Sequence, residues 1–177
     1  MYSVYAKKGG TKVCIYNDVF TTPEVLALSP KLELQESAAG TFKIKLPGSN
    51  AGYDFVERLT TEIIVEKEGT EIWSGRIMKE DTDFWKHRSI ECEGELSYLN
   101  DTTQPQAEYH DISPRSLLQT FINIHNAKVS SDKRFTIGSV TVTDPNDSLY
   151  RYTNYESTLE AINDKLCKRL GGYLQIR

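Results

Sequence analysis

The sequence predicts a β-rich α+β protein, and three features carry that prediction. Between residues 2 and 96, apolar residues repeat with a period of two and are interrupted by Gly- and Asn-containing turns. Two later segments, opening at Ser113 and Ser157, switch to helical spacing behind N-capping residues. Between these regions the composition changes after Asp101, at the polar, proline-containing stretch Thr102-Thr103-Gln104-Pro105-Gln106. An antiparallel β domain is therefore expected over 1–101, and an α/β domain with two helices packed on a sheet over 102–177.

Residues 2–6 and 11–16 read as a hairpin around Lys7-Lys8-Gly9-Gly10. Leu32 and Leu34, then Phe42, Ile44 and Leu46, alternate with charged residues across Ala38-Ala39-Gly40, which predicts two half-buried antiparallel strands. After the loop Pro47–Gly52, the spacing of Phe55, Val56 and Leu59 predicts a short helix over Tyr53–Leu59. Thr61–Lys67 and Thr70–Met78 are strands joined at Glu68-Gly69, and a turn near Asp81–Lys86 returns Arg88–Leu96 alongside.

In that returning strand Ile90, Cys92, Gly94 and Leu96 share the core face, and Glu91, Glu93 and Glu95 share the other. Such a row of carboxylates is either a solvated face or a contact or lumen surface in an oligomer. Phe84 and Trp85 fall at the preceding turn, where an exposed aromatic pair is an assembly contact before it is a substrate clamp.

Ser113-Pro114 starts the first helix, which places Leu117, Leu118, Phe121, Ile122 and His125 on one face and ends near Asn126. The second opens with the capping box Ser157-Thr158-Leu159-Glu160 and directs Leu159, Ile162, Leu166 and Leu170 inward. It stops at Gly171-Gly172. Between them Phe135 and Ile137 are in one phase and Val140 and Val142 in the other, so Gly138-Ser139 marks a bulge or turn in one kinked strand or between two short ones. Tyr173–Arg177 reads as a strand start, and the segment is expected to be part of a longer protein whose second domain is incomplete here.

Composition narrows the function. Charged residues make up 26% and hydrophobic ones 38%, which is globular and not disordered. A formal net charge of -4 without a basic stripe disfavours nucleic-acid binding. No apolar run reaches a membrane span, and MYSVYAKKGG lacks a secretory core, so a soluble protein made in the cytosol is expected. Cys14, Cys92 and Cys167 are too scattered for a disulfide framework or zinc knuckle.

No nucleophile, metal or phosphate motif is present, and His87, His110 and His125 stand apart. Neither catalytic nor cofactor-binding nor metal-binding residues are assigned. His110-Asp111 is better explained by the nearby helix start, and Asp144-Pro145-Asn146-Asp147-Ser148 is a turn before it is a calcium site. Trp73 and Trp85 raise a carbohydrate-binding alternative, which requires one of them exposed in a groove. A hydrolase alternative requires a pocket of convergent titratable groups.

The ordered set Glu71-Ile72-Trp73-Ser74-Gly75-Arg76-Ile77, Asp83-Phe84, Cys92–Asp101, Phe121–Asn126, Gly138–Thr143, Tyr155, the helix from Ser157 and Leu170–Leu174 resembles the N-terminal hub region of siphophage and prophage tail proteins. These are often called prophage tail endopeptidase or tail-associated lysin proteins, and the likeness covers nearly the whole chain. It implies a tube-like β-barrel over 1–101 and a flanking α/β hub domain over 102–177. It also implies a structural role at the virion tail tip as a trimeric baseplate hub that closes the tail tube. The implied partners are further copies of itself, the distal tail protein, the tape measure protein, and a downstream receptor-binding or lytic module. Any peptidase or lysin activity would then lie outside these residues. Phe84, Trp85, Glu91, Glu93 and Glu95 are the candidate assembly or lumen contacts.

Overall fold

The computed structural model describes residues 1–20, 22–145 and 150–176. The protein is β-rich, and the chain divides into two compact units: Met1–Gln35 with Ala39–Glu95, and Glu36–Ala38 with Leu96–Arg177.

The first unit is a curled half-barrel of seven antiparallel strands: β1 (Tyr2–Lys8), β2 (Thr11–Asn17), β3 (Leu28–Glu33), β4 (Thr41–Leu46), β5 (Glu62–Lys67), β6 (Thr70–Thr82) and β7 (Arg88–Gly94). Their order is β2-β1-β5-β6-β7-β4-β3, so β2 and β3 are the two edges. The period of two determines what each strand buries. Val4 and Ala6 of β1, Ile63 and Val65 of β5, Ile90 and Cys92 of β7, and Phe42, Ile44 and Leu46 of β4 point into one core, with lysines and glutamates alternating outside.

Trp73 sits in this core, and the backbone is shaped around it. Gly75 and Gly94 face each other in the β6–β7 register. A Cβ on Gly94 would lie 1.8 Å from the Ala39 carbonyl oxygen and 2.7 Å from Trp73 Nε1, and one on Gly75 would meet the Glu93 carbonyl at 2.1 Å. The indole occupies the room left by the missing side chains and donates its N–H to the Ala39 carbonyl at 3.2 Å. A buried tryptophan thereby satisfies its one polar atom.

The second unit holds a two-stranded ribbon, β8 (Ala107–Tyr109) paired with β9 (Arg151–Thr153), and helices α1 (Pro114–Asn126), α2 (Thr158–Ile162) and α3 (Lys168–Leu170). Ser113 caps α1 by accepting from the Ser116 N–H, and Pro114 occupies the first turn, as expected. Leu117, Phe121, Ile122 and His125 form its buried face, with the Phe121 ring 5.7 Å from that of Tyr109. Ser157 likewise accepts from the Glu160 N–H. The second helix ends at Gly171, which is left-handed at φ 71, with the Gly172 N–H donating to the Cys167 carbonyl.

Several expectations are corrected. Tyr53–Leu59 forms separate turns and no helix. Phe55 and Val56 both donate to the Gly52 carbonyl, which closes one turn, but the chain does not propagate it: Leu59, at φ 62, is left-handed and donates across to Ile77. Leu34 lies beyond β3 and is 62% exposed. The strand from Arg88 ends at Gly94 and continues as a 3-10 helix, Glu95–Asp101, which still buries Leu96. The second long helix is interrupted by a π turn, Asn163–Cys167, whose Lys165 carbonyl accepts from Arg151 Nε at 3.1 Å.

The Phe135–Val142 region carries no regular secondary structure and enters no ladder among the described residues. Its burial does change phase at Gly138-Ser139, as the sequence implies. Asn126 explains part of this, since its side chain donates to the Phe135 carbonyl and accepts from the Phe135 N–H, taking the place of a neighbouring strand. Tyr173–Ile176 also enters no ladder, and Arg177 lies outside the described residues.

Candidate functional site

The β6–β7 tip is built by one aspartate. Asp83 Oδ1 accepts from the N–H groups of Trp85 and His87, both at 2.9 Å. Oδ2 lies 3.2 Å from both Lys45 Nζ and His87 Nδ1. The Asp83 N–H donates to the His87 carbonyl, and the Lys86 N–H to the Asp83 carbonyl, with Lys86 at φ 59. These donors, the His87 backbone N–H foremost and then Lys45 and the His87 ring, hold the Asp83 carboxyl down at about 2.

The result is a rigid turn that carries Phe84 at 90% and Trp85 at 75% exposure, their rings edge to face at 5.3 Å. The sequence placed both aromatics at a tip but did not reveal the Asp83 bonds that fix them. His87, which looked isolated, is one of those bonds.

The three carboxylates sit in three different environments. Glu91 Oε1 pairs with Lys43 Nζ at 2.9 Å across the β4–β7 register, and this contact lowers its carboxyl. Glu93 is opposite Thr41 on one side and Arg76 on the other. Glu95 opens the 3-10 helix, and its carboxyl is raised by burial and then by Glu62 and Glu71, against a hydrogen bond from Ser74. Cross-strand pairs continue along the same face as Lys7–Glu62 at 2.9 Å and Lys12–Glu66 at 2.6 Å. The face is a lattice of opposite charges and not a bare acidic row. Exposed pairs of this kind contribute about 0–1 kcal/mol each and mainly fix register.

The remaining sequence candidates resolve into structural roles. Trp73 is core, so only Trp85 meets the exposure that a sugar platform requires, and it stands on a turn. A polar recess beside that turn is lined by Tyr53, Glu80, Asp81, Thr82 and Arg88. Cys92 is buried and its thiol is pushed far up; burial also raises Cys14 and Cys167. His110 lies 3.5 Å from Glu108 and packs on Tyr150, with ring centroids 4.8 Å apart. Asp144 forms a buried ion pair with Arg151 at 3.0 Å, while residues 146–148 of the suggested calcium stretch lie outside the described residues.

His125 is fully buried. Its Nε2 donates to the Lys133 carbonyl at 3.0 Å, and its Nδ1 lies 2.8 Å from the Thr102 hydroxyl. Thr102 in turn is 2.8 Å from the Thr158 hydroxyl, which accepts from Gln104 Nε2 at 2.8 Å. A hydroxyl against an imidazole is the geometry of an activated nucleophile, but neither group reaches the surface, so no substrate can approach. The chain Gln104-Thr158-Thr102-His125 instead ties both helices to Thr102–Gln104, part of the polar, proline-containing segment that the sequence marks as a boundary. Among the described residues no helix is long and apolar enough to cross a membrane, and no cluster of three metal-ligating side chains occurs.

No family model matches the chain, and no curated protein matches it. Among solved structures it is similar to the 43 kDa tail protein of prophage MuSo2 from Shewanella oneidensis. The two share 14% identity over 97% of this chain and 50% of that one, with a TM-score of 0.60. It is also similar to a tail protein from Neisseria meningitidis MC58, at 15% identity over 69% of this chain and 34% of that one, with a TM-score of 0.44. The likeness to the Shewanella protein is one of fold. The chain spans about half the length of that protein and about a third of the Neisseria one.

Proposed function

We propose that this protein is a structural component of a phage or prophage tail, and that within the tail it forms part of the hub at the tube end. One observation carries the proposal: nearly the whole chain, half-barrel and helical unit together, follows the fold of a prophage tail protein. The motif resemblance in the sequence supports the finer placement. In that role the protein works by geometry. The sheet supplies a wall, the Asp83-locked tip supplies an aromatic contact for a neighbour, and the outer carboxylates line a contact or lumen surface. Its partners are further copies in a trimer, the distal tail and tape measure proteins, and a downstream module that carries any lytic or receptor-binding activity.

Light scattering on the intact gene product tests this, with a mass of three chains expected. A monomer that cleaves peptidoglycan would overturn both the hub placement and the mechanical role.

A further inference from the structure

Alternation along β8 and β9 turns Tyr109, Arg151 and Thr153 toward the helices, where Arg151 and Thr153 are buried and the Tyr109 ring meets Phe121. The same period sends Glu108 and Tyr152, direct partners across the ribbon, to the opposite face, together with His110 just past β8 and Tyr150 just before β9. All four stay exposed, Tyr150 at 45% and Tyr152 at 52%, and they touch one another in a row. His110 stands between Glu108 and Tyr150, its ring tilted 40° to the phenol. The Tyr152 ring follows 6.2 Å from that of Tyr150, with planes 29° apart. Burial, and then a hydrogen bond to Glu108, raises the Tyr150 phenol.

This aromatic row is fixed from beneath. Arg151 donates from Nε to the Lys165 carbonyl and from Nη2 to Asp144, and the Thr153 hydroxyl donates to the Pro105 carbonyl at 2.6 Å. Arg169 Nη1 donates to the Tyr150 carbonyl at 3.2 Å. The π turn whose carbonyl takes Arg151 also sets the Lys165 ammonium 4.9 Å over the Tyr152 ring, where Glu156 pairs with it at 3.3 Å. Rings held on rigid backbone lose little entropy when they bind.

The polar groups of the face select its ligand. Glu108 offers acceptors only; an ionised carboxylate has about four such sites, and the Tyr150 hydroxyl occupies one. Set among the rings, that charge repels phosphates, and it finds no donor on the backbone of a proline-rich peptide, which presents carbonyls. Lys165, the cation against the rings, is already paired, so a polyanion gains little there. A pyranose joins an apolar ring face to a rim of hydroxyl donors, which is the complement of half-exposed rings bordered by a carboxylate.

We infer that the outward face of β8–β9 binds uncharged pyranose units of an oligosaccharide, with sugar faces against Tyr150 and Tyr152 and hydroxyls donating to Glu108. The site is separate from the Phe84-Trp85 turn and does not rest on the tail reading.

Two-dimensional NMR titration of the whole chain with tetramers of glucose and of N-acetylglucosamine tests this, with heparin and an oligoproline peptide as the polyanion and extended-peptide alternatives. At least one tetramer is expected to give saturable shifts confined to the ribbon face, with a dissociation constant on the order of 1 mM. Glu108→Gln and Tyr152→Ala should each weaken that binding about tenfold, and Trp85→Ser should leave it unchanged. Glu108→Gln keeps the side-chain size, and a parent-like spectrum of either variant separates lost binding from lost structure. No saturable shift with either tetramer up to about 10 mM, binding insensitive to either variant, or shifts with heparin or oligoproline alone would overturn the saccharide site, and none of these results bears on the tail proposal.

Discussion

Gly94 shows how one missing side chain determines a core. Its φ is ordinary, so an alanine there meets no backbone penalty and only the steric demand of the Ala39 carbonyl and the Trp73 indole. Overpacking of this kind costs about 1–3 kcal/mol, and backbone on both sides leaves little room to relax. Gly94→Ala is expected near the upper end of that range by denaturant unfolding followed through tryptophan fluorescence, whereas Gly138→Ala, which meets nothing within 4 Å, is expected to be near neutral. Asp83 gives a pH signature at the same scale. Its folded-state carboxyl, held at about 2 against an ordinary 3.8, contributes stability that is fully present above about pH 4 and lost as the pH falls toward 2. Asp83→Asn should flatten that part of the stability profile; a variant that parallels the parent between pH 5 and pH 2 would show that the turn does not depend on the charge. The sequence exposed the alternation around Gly94 and the aromatics beside Asp83. It did not show which backbone atoms come close to either, because those distances arise from strands far apart in the chain.

At the scale of elements, the β6–β7 turn and the Thr102 network make opposite predictions. Phe84→Ser and Trp85→Ser remove exposed rings from a turn held by Asp83, so each should shift stability by no more than about 0.5 kcal/mol. If these rings are assembly contacts, the same variants should lower the trimer fraction of the intact protein by light scattering. Thr102→Val keeps the side-chain shape but removes the hydroxyl that serves His125 and Thr158, and leaving buried partners unsatisfied costs about 1–3 kcal/mol. Thr102→Ser retains the hydroxyl and should recover much of that loss in the same thermal unfolding measurement. Strands β1, β2 and β4 to β7 were legible because one face of each is buried, which imposes a period of two, whereas β3 is exposed apart from Leu32 and was marked only near that residue. Helix starts were legible because Ser113 and Ser157 satisfy local N–H groups. The ribbon β8–β9 was not, since three residues are too few for a periodic signal and its inward side carries Arg151, whose burial depends on Asp144 and the Lys165 carbonyl.

At the scale of the whole molecule, the alternating first half and the capped helices of the second half determined on their own that the protein is β-rich with added helices. Those features follow from contacts within a few residues, or from the two faces of a single strand. Tertiary structure alone decided that Thr102–Gln104 lies among buried helices, that the second long helix opens into a π turn, and that Glu91, Glu93 and Glu95 occupy unlike surroundings. In each case the outcome turns on which distant backbone carbonyl or charged group arrives beside a side chain. Hydrophobic periodicity reports how much of a residue is buried, and it carries no record of the partner that makes burial of a polar group tolerable.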